Sequence, residues 1–121
     1  MKFLGTGSAL PKKVVSNDDL AQVMDTSDEW IRSRTGIGMR HIAVEETTTS
    51  MAVEAAEEAL ADAKISGCEI DLIIAGTISP DYIFPSLACE VQAAIGAKSA
   101  TAFDLSAVSY THLRAHETEL H

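Results

Sequence analysis

Cysteine, proline, aromatic rings and positive charge are all scarce in this chain. Two cysteines, Cys68 and Cys89, are too few for a disulfide framework across 121 residues. Neither sits in a metal-ligand or redox motif, so both read as small structural thiols kept reduced. Three prolines and seven glycines exclude a collagen-like or low-complexity polymer. Nine basic residues stand against eighteen acidic ones, a net charge of −9, which is the wrong sign for a nucleic-acid surface. No apolar run nears the roughly 18 residues of a membrane span. The opening Met-Lys-Phe-Leu lacks the apolar stretch of a secretory signal. The expectation is a cytoplasmic protein with no membrane or nucleic-acid partner.

What is present is apolar content, 46% of residues, enough for one globular domain or part of one. Phe3 to Leu10 reads as a strand ended by Pro11, with Gly5 and Gly7 where another backbone comes close. Asn17 reads as the cap of a short helix to Met24, with Asp18 and Asp19 in its first turn. Thr26 and Glu29 have the offset of a capping box opening a helix to Arg34, broken by Gly36 and Gly38. Met39 to Val44 reads as a strand, and its His41 as structural. Thr47 to Ser50 supplies caps for an Ala- and Glu-rich helix from Met51 to Ala63. Glu45, Glu46, Glu54, Glu57, Glu58 and Asp62 read as a solvated acidic face. Gly67 ends the following loop. Ile70 to Gly76 is a nearly continuous apolar run, as in a strand buried on both faces. Pro85 fits the first turn of a helix from Ser86 to Ile95. After the turn at Gly96, Thr101 to Ala107 reads as another buried strand. This alternation of strands and helices with short links predicts an α/β sheet.

Trp30 is the single tryptophan, and Arg34 lies four residues on, along the same helix face. Indole beside guanidinium suits a stacked nucleobase with its phosphates. Composition alone favours the plainer alternative, a core Trp flanked by solvent arginines.

From Gly5 to Ala107 the chain resembles the β-ketoacyl-acyl carrier protein synthase III family of the thiolase superfamily. The resemblance rests on Gly5-Thr-Gly-Ser8, Asp25-Thr-Ser-Asp-Glu-Trp-Ile31, Arg34-Thr-Gly-Ile37, Arg40-His-Ile-Ala43, Phe84-Pro-Ser86 and Ala102-Phe-Asp-Leu-Ser-Ala107. It implies a thiolase-like layered α/β fold, of which residues 1–107 are the first part of the N-terminal half. It also implies a homodimeric acyltransferase of fatty-acid synthesis that uses no metal and no cofactor. In that family a cysteine attacks an acyl-CoA thioester. A His and an Asn then assist decarboxylation of malonyl-acyl carrier protein, and the carbanion takes the acyl group to give a 3-oxoacyl product. By position, Trp30 would stack on the adenine of coenzyme A, Arg34 would contact its nucleotide end, and Thr26 lies beside them; this reverses the plainer reading of Trp30. Phe84 matches a residue that reaches across a dimer interface into the partner's acyl pocket, with a core aromatic as the equal alternative. Cys89 falls in the helix before the family's nucleophile.

After Ala107 the chain leaves the family's pattern. The nucleophile belongs at position 109, which here is Ser109, a weak nucleophile without an adjacent base. His112 and His116 with Glu117 and His121 imitate metal-ligand spacing but lack a shell to orient them. Val108 to Thr118 resembles the in-frame translation of a transposase adaptor used in library preparation, so 108–121 reads as a non-native tail. The expectation is a fragment that is inactive as it stands. The alternatives are a related polyketide- or quinolone-type condensing enzyme, or a non-catalytic CoA-binding or dimerising module.

Overall fold

Ser16, Ser27, Thr47 and Ser86 each place a side-chain oxygen on a backbone N–H three residues ahead, and each starts a helix there. The computed structural model describes residues 1–106. Its elements are β1 (Lys13–Ser16), α1 (Asn17–Ala21), α2 (Asp28–Thr35), β2 (Met39–Ile42), α3 (Thr48–Ala63), a 3-10 turn at Gly67–Glu69, β3 (Leu72–Gly76), α4 (Leu87–Ile95) and β4 (Thr101–Leu105). The described residues form two units, Leu10–Glu46 and a second made of residues 1–9 with 47–106.

In the Leu10–Glu46 unit, β1 and β2 pair antiparallel, with Val14 opposite His41 and Ser16 opposite Met39. Between them lie α1 and α2. The cap of α1 is Ser16, not Asn17: Ser16 and Asp19 form a reciprocal capping box, and the helix ends at Ala21 rather than Met24. Likewise Ser27, not Thr26, caps α2. The hydroxyl one position nearer the helix reaches the Trp30 N–H. Gly36 ends α2 in the left-handed conformation, φ 73°, which costs glycine nothing.

In the other unit, β3 and β4 pair parallel, Leu72 opposite Thr101 through Gly76 opposite Leu105, and α4 connects them. The helix packs on both strands and on α3. Its face of Leu87, Ala88 and Val91 is buried, with Ala97 beyond its end. Pro85 precedes the cap Ser86 and so lies outside the first turn. β3 is covered on one side only: Leu72 and Ile74 remain 52% and 51% exposed, while Ile73 and Ala75 are half-buried and the helix packed on the strand is α4. The strand expected over Phe3–Leu10 is absent, since no described strand pairs with it. That segment instead lies along α3. The Thr6 N–H donates to Asp62 at 2.9 Å and the Ser8 N–H to Glu58 at 3.4 Å. A Cβ on Gly5 would come 2.6 Å from the Ala63 backbone nitrogen, and one on Gly7 would collide with the Ala55 carbonyl. The close backbone approach expected at these glycines is therefore real, but it is to a helix. It also corrects the reading of the acidic cluster, because Asp62 and Glu58 bind backbone rather than only solvent. Gly67 opens the 3-10 turn instead of ending a loop.

Candidate functional site

The short helix α2 carries the residues that the sequence singled out. Asp28 and Glu29 fall in its first turn and Arg32 and Arg34 in its last, each sign at the helix end that favours it. The helical repeat puts Arg34 one turn beyond Trp30, and its guanidinium carbon lies 4.7 Å from the ring centroid. Trp30 is 55% exposed in this chain. The two arginines differ in their surroundings. Arg32 Nε donates to both carboxylate oxygens of Asp28, at 2.8 and 3.0 Å. Arg34 makes no carboxylate pair among the described residues. A planar cation on an open indole, uncompensated by an acid, suits a ligand that is aromatic at one end and anionic at the other. Thr26 is half-buried, just ahead of the Ser27 cap.

The ties that hold α2 in place were not legible in the sequence. Asn17 is 1% exposed. Its Nδ2 donates to Asp28 Oδ1 and to the Ile37 carbonyl, both at 2.8 Å, and its Oδ1 accepts from Arg40. Its backbone N–H donates to the Gly38 carbonyl at 3.1 Å. The Asn17 side chain, and after it Arg32, holds the Asp28 carboxyl below its ordinary range. His41 is structural, with Nδ1 2.6 Å from the Pro11 carbonyl oxygen.

A second location is the carboxyl end of the β3–β4 pair, where chemistry sits in many α/β sheets. Asp104 accepts from the Leu87 and Ala88 N–H groups at 2.8 and 2.7 Å, tying β4 to the start of α4. Ser109 and the histidines of the tail lie outside the described residues. Cys89 lies in α4, with Sγ 3.9 Å from the Ala102 carbonyl, away from the strand end. Cys68 is exposed rather than buried, with Sγ 2.8 Å from the Ser66 hydroxyl. Phe84 is 90% exposed in this chain. A cavity of about 440 Å³ in this unit is lined by Phe3, Leu60, Ile73, Val91 and similar apolar groups. Among the described residues Lys2 is its only charged lining, and they offer no convergent polar chemistry.

The backbone arrangement has close counterparts. It superimposes on the 3-oxoacyl-[acyl-carrier-protein] synthase III of Aquifex aeolicus with a TM-score of 0.84 at 57% identity, covering 88% of this chain and 34% of that one. It also matches a priming β-ketosynthase of a polyketide biosynthetic pathway, with a TM-score of 0.83 at 39% identity over 88% of this chain and 32% of that one. The fold is therefore part of a thiolase-like α/β layer structure. In sequence the chain is 60% identical to β-ketoacyl-[acyl-carrier-protein] synthase III 1 of Bacillus anthracis over 106 residues, 87% of this chain and 34% of that protein. No family model matches. The chain is thus similar to one segment of β-ketoacyl-[acyl-carrier-protein] synthase III proteins, and it spans about a third of the length of the curated relatives it matches.

Proposed function

We propose that this chain is the leading part of an enzyme that condenses an acyl-CoA primer with malonyl-acyl carrier protein to start fatty-acid synthesis, and that its α2 receives the nucleotide end of coenzyme A. The observation carrying this reading is the exposed Trp30 with Arg34 over its ring and, among the described residues, no carboxylate paired with that guanidinium. The indole offers an apolar plane to adenine, and the guanidinium offers paired donors to phosphate. Thr26 adds a hydroxyl beside them. Phe84, fully presented to its surroundings, suits insertion into a partner subunit's acyl pocket in a homodimer. The reaction needs no metal or cofactor, since the acyl-CoA is itself a substrate, and a cytoplasmic setting suits it.

On this reading the family's nucleophilic thiol belongs at position 109, where this chain carries Ser109, a weak nucleophile without an adjacent base. Residues 108–121 are a non-native tail on this reading; genomic DNA across the Ala107 codon that encodes the same tail would refute that. The likeness to a polyketide priming ketosynthase supports a second reading, in which the same nucleotide site serves a different primer.

Coenzyme A titrated into the chain tests the site directly, because Trp30 is the only tryptophan. Saturable quenching of its emission is expected. Arg34→Ala should weaken binding by about ten- to hundred-fold, the range for losing a charge-assisted contact. An Arg34→Ala chain that binds as tightly as the parent would refute the assignment.

A further inference from the structure

α2 buries none of its residues. A helix without an apolar stripe gets little orientation from packing, so something polar must aim Trp30 and Arg34. Asn17 is the buried group placed to do it. One amide joins three separate pieces of chain: Asp28 in the first turn of α2, the Ile37 carbonyl just past its end, and Arg40 of β2. Both ends of the helix are thus referred to a single fixed point. Asp28 in turn holds Arg32 through both carboxylate oxygens, which keeps that guanidinium from competing with Arg34 for an anion.

We propose that Asn17 is a positioning residue for coenzyme A recognition: its amide, through Asp28 and Ile37, sets the orientation of the Trp30–Arg34 pair. The inference rests on the nucleotide site proposed above. It concerns geometry rather than contact, since Asn17 is buried and lies outside any ligand's reach.

The sign of the Asn17–Asp28 bond supplies the test. Asn17→Asp is nearly isosteric but sets a second carboxylate against Asp28. Asn17→Ala leaves Asp28, Ile37 and Arg40 without that partner. If Asn17 only filled space, Asn17→Asp would be the milder change. As a positioning amide it must be at least as severe. Adding Asp28→Asn to Asn17→Asp reverses donor and acceptor, and should recover part of the loss. Coenzyme A binding to the full chain is measured by calorimetry, alongside ligand-free near-ultraviolet circular dichroism of Trp30 and far-ultraviolet dichroism as a folding control. The expected result is a fall in affinity of about ten-fold or more in Asn17→Asp, the size expected of a displaced binding helix, with a changed Trp30 band, unchanged helix content and partial return of both in the double variant. Parent-like affinity and an unchanged Trp30 band in Asn17→Asp would overturn the proposal, while Arg34→Ala could still uphold the nucleotide site. Loss of helix content in Asn17→Asp without recovery in the double variant would also overturn it. If the parent chain binds no coenzyme A, the nucleotide site falls. The Trp30 band of the Asn17 and Asp28 variants then decides separately whether the amide orients α2.

Discussion

Asp28 shows how much one carboxylate can be asked to do. It accepts from Asn17 and from Arg32, and these bonds, the Asn17 one foremost, hold its ionisation below the ordinary value of 3.8. A depressed acid contributes stability that is complete above the unfolded pKa and is lost as pH falls through the folded one. The Trp30 environment should therefore stay constant from neutrality to about pH 4 and loosen below it. Urea midpoints followed by Trp30 emission at a series of pH values should show this, and Asp28→Asn should flatten the acid limb. It should not abolish it, because Asp19, Glu46 and Asp81 are also depressed, chiefly by donors from Ser16, Lys12 and Thr49 respectively. An acid limb identical in Asp28→Asn and parent would remove Asp28 from the account.

Among the elements, α4 is held at its start by a group from another strand. Its cap is Ser86, but Asp104, seventeen residues away, is what satisfies the Leu87 and Ala88 N–H groups. Asp104→Ala should lower the urea-unfolding free energy of the unit by about 1–3 kcal/mol, by leaving two half-buried donors unpaired. An unchanged midpoint would mean that water serves them as well. The contrast explains what the sequence could reveal. The stops at Gly36 and Gly96, and a cap within Thr47–Ser50, are local, set within a turn, and they were readable; the exact first residues of α3 and α4 were not. Phe3–Leu10 was misread because glycine spacing marks close approach without saying to what. A strand needs a ladder partner, and α3 supplied carboxylates instead. The acidic face of α3 was misjudged for the same reason, since composition does not show which backbone N–H groups arrive from 50 and 56 residues away. At the site, the four-residue spacing revealed the Trp30–Arg34 pair, but not the buried amide of Asn17.

For the whole molecule, the one-sided cover of the β3–β4 pair matters most. Leu72, Ile74, Phe103 and Leu105 all stay exposed on the open side, an apolar patch of the kind that marks a contact surface. The isolated chain should bind a hydrophobic fluorescent dye and melt over a broad range by calorimetry, and replacing Ile74 and Phe103 by threonine should cut the dye signal at least about two-fold, in proportion to the apolar area removed. A single sharp transition with no dye uptake would contradict this. The division into units also bears on the order of events during synthesis. Leu10–Glu46 is one unbroken stretch, and its partners emerge from the ribosome in quick succession. Thr6 must wait for Asp62, 56 residues later, an interval of roughly 3–11 s at ordinary translation speeds. The Thr6–Ser8 segment is thus made well before the carboxylates that hold it, and until then it is open to chaperones and proteases.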